Sequence, residues 1–172
     1  MVQWWVNLPR KNKMDNPRYQ GIKSEQIPKI DLANQAGSLR IIAGEYQGHV
    51  GPAKTFSAMN VWDLRLKKNA RFTVPVKSGN TSSFFVLSGQ IKVESQELVR
   101  EAELAVLDPQ GDSFTLEAVD DTKVLILTGE PLSEPIVGYG PFVMNSEAEI
   151  KQAFIDFQSG KMGQIQHIQG SE

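Results

Sequence analysis

Between residues 38 and 129, short runs of alternating apolar and polar side chains follow one another along the chain. The clearest run covers residues 61–67, where Trp62 and Leu64 alternate with charged side chains, and residues 71–76 repeat the pattern. A period of two is typical of a β-strand that buries one face. Six further candidate strands of similar length are separated by turn sequences: 39–43, 83–87, 91–94, 103–107, 113–118 and 123–128. Regular short strands at this spacing predict an all-β sandwich or barrel.

One helix is predicted near the end of the chain, over about residues 146–159. Ser146 and Glu149 have the spacing of a capping box, in which each side chain accepts a hydrogen bond from a backbone N–H of the first turn. Apolar residues at helical spacing then form a single stripe: Ile150, Ala153, Phe154 and Phe157. Because such a stripe is stable only when it is covered, the helix has to pack against another part of the protein.

These patterns divide the 172 residues into three regions, which are 1–37, 38–136 and 137–172. The first region opens with an apolar segment and then becomes polar and rich in proline, so it is too irregular to form a core of its own. The second holds the candidate strands, and the third holds the helix. A chain of this length suits one globular domain with a single sizeable core.

Composition removes several classes of function. A net charge of −2, with no run of basic residues, argues against direct binding of nucleic acid. There is no cysteine, which excludes disulfides, thiolate nucleophiles and cysteine-ligated metals. Apolar runs such as residues 124–127 are far too short to span a bilayer, and no secretory signal is visible at the N-terminus. We therefore expect a cytoplasmic protein that does not contact a membrane.

The histidine content limits the chemistry further, because His49 and His167 are the only two and lie 118 positions apart. A catalytic transition metal usually needs two or three imidazoles that converge on one point, often with a carboxylate. We expect His49 to be a solvated loop residue and the carboxylates to be surface charges, so no catalytic residue is predicted. Four aromatic residues could line a pocket, although at strand spacing such residues usually form the core: Trp62, Phe72, Phe84 and Phe114.

Sequences near both ends of the chain resemble the pirin family. Residues 129–132 and 139–145 are similar to the segment that closes the second half of pirins, and residues 5–9 resemble the segment that leads from the first cupin domain to the second. The resemblance covers about residues 3–163. It implies an all-β fold, a single cupin-type β-barrel (a jelly-roll sandwich) with a C-terminal helix and an extended N-terminal segment.

The resemblance also bears on metal binding. Pirins are two-domain cupins whose first domain carries an iron-type centre of three histidines and one glutamate, and some bacterial members oxidise flavonols such as quercetin. In this chain that centre would lie upstream of Met1. The corresponding motif positions, aligned on Gly89 and Gly111, hold neither an imidazole nor a carboxylate: Pro75, Lys77, Thr81, Phe114 and Leu116. We therefore expect no metal and no other cofactor.

In the pirin architecture, the first barrel would cover four apolar residues of this chain: Trp4, Trp5, Val6 and Phe142. We expect these residues to form an interface, either in a homodimer or with a separate N-terminal pirin half. The favoured interpretation is a metal-free cupin domain that acts as a binding or assembly module and is not catalytic alone. The alternatives are a quercetin 2,3-dioxygenase-type activity that needs a metal-bearing N-terminal cupin partner, and half of a split or truncated pirin with no function of its own.

Overall fold

The computed structural model describes residues 2–94 and 96–163, which form β-strands, three single 3-10 turns and one α-helix. The strands are β1 (Lys29–Asp31), β2 (Gly37–Ala43), β3 (Glu45–Tyr46), β4 (His49–Val50), β5 (Met59–Leu66), β6 (Arg71–Pro75), β7 (Thr81–Ser88), β8 (Gln90–Val93), β9 (Glu97–Arg100), β10 (Leu104–Leu107), β11 (Ser113–Ala118), β12 (Thr122–Gly129), β13 (Val137–Tyr139) and β14 (Phe142–Met144). The helix α1 is Glu147–Gln158, and the 3-10 turns are Arg10–Asn12, Ser24–Gln26 and Ala33–Gln35.

The longer strands form two antiparallel sheets. One has six strands in the order β1-β2-β5-β12-β7-β10, and the other has four in the order β6-β11-β8-β9. The chain crosses between the sheets from β5 to β6 and again from β6 to β7, as in a jelly roll. Two small hairpins, β3-β4 and β13-β14, lie outside these sheets. The predicted all-β fold class with a C-terminal helix is confirmed.

Alternate residues of the strands are buried between the two sheets. In β5 these are Trp62, Leu64 and Leu66, the residues that the alternation places on one face. Phe84 of β7 and Phe114 of β11 stack in the same interior, with ring centroids 6.1 Å apart. Removing such side chains from water stabilises the fold by about 25 cal/mol per Å² of apolar surface. The sandwich therefore has a complete apolar core of its own.

Contacts divide the described chain into two compact units. The sandwich unit is residues 17–131. The terminal unit joins residues 2–16 to residues 132–163, and so combines the N-terminal segment with the C-terminal hairpin and helix. The predicted boundary after residue 37 falls inside β2, one residue from its start, and β2 pairs with β1 in one sheet. Sequence periodicity does not reveal this grouping, because the N-terminal segment has no periodicity to follow.

Helix α1 begins where the capping pattern predicts. Ser146 is the N-cap, and its hydroxyl accepts a hydrogen bond from the backbone N–H of Glu149 at 3.3 Å. Ile150 and Ala153 of the predicted stripe are buried, whereas Phe157 is exposed. Among the described residues, no helix is long and apolar enough to cross a membrane.

Candidate functional site

The interior of the sandwich at the predicted metal-motif positions is apolar. Phe114 and Leu116 are buried, and in the β6–β11 register they lie opposite Val74 and Phe72. Strand β7 adds Phe84 and the hydroxyl of Ser82 to the buried positions. The other three motif positions are exposed: Pro75, Lys77 and Thr81. One hydroxyl among hydrocarbon side chains is not a donor set for iron, nickel or zinc, so the residues at these positions do not fit a metal centre like the one that the resemblance places in the first domain.

His49 lies on the two-residue strand β4, where it is exposed and its Nδ1 atom is 3.2 Å from the carbonyl oxygen of Gln47. Its predicted solvated state agrees with this position, but it belongs to a short hairpin rather than to a loop. His167 lies outside the described residues. Within residues 2–94 and 96–163, no group of three or more histidine, aspartate or glutamate side chains converges as metal ligands would.

The four aromatics considered as pocket-lining residues have different positions. Trp62, Phe84 and Phe114 are core residues, at most 6% exposed. Phe72 is buried in the core as well, but its edge borders a surface cavity of about 890 Å³. The nearest aromatic neighbour at that edge is Tyr46, which the sequence analysis did not single out because β3 is too short to show a periodic pattern.

This cavity is enclosed by three segments of the sandwich unit. They are residues 30–36, from the end of β1 to the start of β2, Tyr46 and Gln47 in the β3-β4 hairpin, and residues 67–73, from the β5–β6 turn into β6. The Tyr46 ring packs against Trp62 at 5.3 Å and against Phe72 at 5.8 Å between ring centroids. Tyr46 therefore covers the edge of the core and forms part of the cavity wall.

The terminal unit exposes the N-terminal aromatic residues that were predicted to form an interface. Trp5 is 73% exposed, and Trp4 and Val6 are each more than two-fifths exposed. Phe142 differs from them, because it is partly buried against Phe154 at 5.0 Å and Phe157 at 6.2 Å. Tyr139 also packs on Phe154, at 5.7 Å. This aromatic cluster, Tyr139, Phe142, Phe154 and Phe157, is open to solvent at Tyr139 and Phe157, which are 69% and 63% exposed.

Polar contacts hold the N-terminal segment to the tail within the terminal unit. The backbone N–H of Arg10 donates to Glu134 at 2.7 Å, and its guanidinium donates to Glu149 at 3.0 Å. The side-chain amide of Asn145 donates to Glu134 at 3.2 Å and to the carbonyl of Pro135 at 2.8 Å. The local sequence pattern does not predict the two contacts of Arg10, because they join residues 124 and 139 positions apart.

Two carboxylates in this unit are held in their charged form. Burial raises the pKa of Glu149, but hydrogen bonds from the Asn145 backbone and from Arg10 outweigh it and lower the pKa below its usual value. The pKa of Asp156 is lowered mainly by the hydrogen bond that Gln152 donates at 2.8 Å, against the effect of burial and with help from Lys161. Both groups act as anchors in a network rather than as proton donors at neutral pH.

Comparison with known proteins agrees with this architecture. Residues 61–163 match the family described as the pirin C-terminal cupin domain. A solved structure named as quercetin 2,3-dioxygenase from Acinetobacter baumannii superposes with a TM-score of 0.89 at 47% identity, over 94% of this chain and 56% of that one. A Pseudomonas aeruginosa protein named provisionally for the same activity is 48% identical over 161 residues, which are 94% of this chain and 56% of that protein.

Human pirin is 35% identical over 167 residues, which are 94% of this chain and 57% of its own length. This chain therefore spans a little more than half the length of the relatives that it matches. The likeness extends over the sandwich, the C-terminal hairpin and the helix, and the predicted cupin fold is confirmed. The chain belongs to the pirin family and corresponds to its C-terminal cupin domain.

Proposed function

We propose that this domain is an assembly module, which docks a second cupin domain through the exposed aromatics of its terminal unit and does not itself hold a catalytic metal. The observation that carries the proposal is the 73% exposure of Trp5 in a segment that polar contacts fix in place. A large apolar side chain on an ordered segment is typical of an interface. The proposed lack of a catalytic metal is supported by the interior of the sandwich, where no imidazole or carboxylate is buried among the described residues.

The length of the relatives indicates why the proposed partner is a second cupin domain. The relatives carry a little under half of their residues beyond the part that this chain matches. The proposed partner is a domain equivalent to that remainder, in the same polypeptide or in another. When none is supplied, a second copy of this chain, itself a cupin domain, occupies the same surface. A stable interface buries about 1,200–2,000 Å² in total, which two exposed tryptophans and the aromatic cluster can anchor.

The docking surface consists of Trp4, Trp5 and the aromatic cluster. Light scattering of the purified chain at micromolar concentration tests whether this surface binds a partner. The 19.1 kDa chain is expected to have at least twice its monomer mass, and Trp5→Ser and Phe157→Ser should each shift it towards monomer. Loss of a central aromatic anchor costs about 2 kcal/mol of binding free energy or more. Val106→Ser is the matched control, because Val106 is 70% exposed but lies on β10 of the sandwich unit. A monomeric wild-type chain would contradict the docking surface.

The second candidate function is the quercetin 2,3-dioxygenase activity named for the Acinetobacter baumannii relative, with the metal carried by the partner domain. The identity of 47% over nearly all of this chain favours it. A quercetin assay of this chain mixed with a metal-bearing N-terminal pirin domain separates the two proposals, since oxidation that requires this chain is expected only under the second. Elemental analysis tests whether this chain holds a metal by itself. We expect no stoichiometric iron, nickel or zinc in the purified chain, together with no oxidation of quercetin. Stoichiometric metal that survives dialysis against a chelator would count against an assembly role without catalysis.

A further inference from the structure

The cavity beside Tyr46 has the dimensions of a small-molecule site and is independent of the docking surface. Its volume is about 890 Å³, within the range of about 300–1,000 Å³ that is usual for ligand sites. A second cavity of about 510 Å³ adjoins it and shares the wall residues Asp31, Leu32, Gln35 and Lys67. Both cavities lie entirely within the sandwich unit.

The walls of the two cavities carry an excess of positive charge. Six cationic side chains line them, against the two carboxylates of Asp31 and Asp121: Lys29, Arg65, Lys67, Lys68, Arg71 and Lys123. Four of the six are paired with carboxylates in or near the wall, such as Lys67 with Asp121 at 2.7 Å. Within the part of the chain that the structure describes, Lys68 and Lys123 make no salt bridge. On a chain of net charge −2, this wall therefore keeps two unneutralised cations.

The rim of the larger cavity is formed by side-chain amides on strained backbone. Asn34, Gln35, Gln47 and Asn69 line it, and all four have positive φ, at 55°, 55°, 49° and 63°. Each such residue other than glycine costs free energy, and strained residues of this kind concentrate at functional sites. A side-chain amide both donates and accepts hydrogen bonds, which suits it to the hydroxyl groups of a ligand.

Besides the cationic and amide side chains, the cavity has an aromatic wall formed by Tyr46. Tyr46 is half-buried, and Gln47 donates a hydrogen bond to its hydroxyl at 3.3 Å. Behind Tyr46 lies Trp62, whose buried indole N–H has no acceptor among the described residues. A ring with polar substituents can pack against the tyrosine face while the amides on the rim bind its hydroxyls.

From these three features we infer that the cavity beside Tyr46 binds a small, hydroxyl-rich organic anion, such as a sugar acid or a sugar phosphate. The amides of Asn34, Gln47 and Asn69 bind hydroxyl groups, and the ammonium of Lys68 binds the carboxylate or phosphate. The mixed polar wall disfavours a purely apolar ligand, because such a ligand would strip water from the amides without replacing their hydrogen bonds.

Titration calorimetry on the full chain tests this inference with three probes: glucuronate, glucose 6-phosphate and uncharged glucose. We expect saturable binding of at least one of the two anions, and the comparison between them identifies the charged group. Glucose should bind at least about tenfold more weakly, since it lacks the charge-assisted hydrogen bond to Lys68. No saturable binding of either anion at about 10 mM would overturn the inference.

A pair of lysine variants locates the site. Lys68→Gln should weaken binding of the anion about fivefold or more, because it removes the unpaired cation from the wall. Lys151→Gln is the matched control, since Lys151 is an exposed lysine on α1 in the terminal unit. Tyr46→Phe keeps the aromatic wall and removes the hydroxyl, so it should retain the charge preference. Equal weakening by Lys68→Gln and Lys151→Gln would mean diffuse attraction and would overturn the assignment of the site.

Discussion

The sandwich unit and the terminal unit contain the same kinds of aromatic residue but place them differently. In the sandwich, Phe84 and Phe114 stack in a closed interior and are 0% and 6% exposed. In the terminal unit, Trp5, Tyr139 and Phe157 are each more than three-fifths exposed. The strands of the sandwich therefore bury their inward-facing aromatics in a closed core, although Tyr19 of the same unit is 94% exposed, whereas the hairpin, the helix and the N-terminal segment of the terminal unit leave several aromatics uncovered.

The interactions that stabilise each unit internally are also different. Burial of apolar surface dominates in the sandwich, where both sheets contribute to one core. In the terminal unit, Arg10, Glu134, Asn145 and Glu149 form a chain of hydrogen bonds and an ion pair. A hydrogen bond contributes only about 1 kcal/mol net, so this unit is expected to be the less stable of the two.

Removing one aromatic from each unit should have very different effects on stability. Phe84→Ala leaves a cavity in the sandwich core and should lower the free energy of unfolding by about 3–5 kcal/mol. Phe157→Ala should change it by less than about 1 kcal/mol, because the side chain is already exposed. Urea denaturation followed by circular dichroism measures both. Similar losses in the two variants would mean that the terminal unit has a core of comparable weight.

A smaller loss in the free energy of unfolding is expected when hydrogen bonds of the terminal unit are removed. Asn145→Ala removes two hydrogen bonds that a buried amide donates to Glu134 and Pro135 and should cost about 1–3 kcal/mol, since each contributes about 0.5–1.5 kcal/mol net. Hydrogen exchange should show the loss of protection in residues 132–163 and leave the sandwich strands unchanged. Asn16→Ala, at an exposed asparagine of the same unit, is the control. Uniform loss of protection across both units would argue against their independence.

Acid should weaken the terminal unit through Glu149 and Asp156. Because the pKa of each is lower in the folded state than its ordinary value of 4.5 or 3.8, each stabilises the fold fully above that value. This stabilisation is lost as the pH falls below the ordinary values and through the lowered ones. Asp156→Asn should make hydrogen-exchange protection of α1 less dependent on pH between about 5 and 3. An unchanged pH dependence would contradict this role of Asp156.

Truncation of Trp5 should hardly change the stability of the monomer. Trp5→Ser should change the free energy of unfolding by no more than about 0.5 kcal/mol under conditions in which the chain is monomeric, because the side chain lies on the surface. Thermal or urea unfolding at low protein concentration measures it. A loss of several kcal/mol would show that Trp5 is a core residue of the unit and not part of a docking surface.

Much of the sandwich could be predicted from its sequence because its long strands bury one face. The period of two in residues 61–67 identifies Trp62, Leu64 and Leu66 as buried, and the helix cap at Ser146 is equally local. The β3-β4 hairpin could not be predicted in this way. Its strands have two residues each, and its turn depends on positive φ at Gln47 and Gly48, which an alternation pattern does not encode.

The candidate sites were less predictable than the fold, since they depend on long-range contacts. Of the four aromatics suggested for a pocket, only Phe72 borders the cavity beside Tyr46, because three loops that are distant in sequence form its walls. The exposure of Trp4 and Trp5 follows from the family resemblance, but the contacts of Arg10 with Glu134 and Glu149 do not follow from any local pattern.

Because residues 2–16 and 132–163 belong to one unit, this unit can form only after the sandwich between them has been synthesised. Arg10 leaves the ribosome 124 residues before its acceptor Glu134, and the intervening sandwich contains everything needed for its own core. Closing such a long loop is slow compared with forming local hairpins. The sandwich can therefore fold during translation before Glu134 and Glu149 emerge, and until then the N-terminal segment lacks the partners that fix it, which is the interval when chaperones have the best access to it.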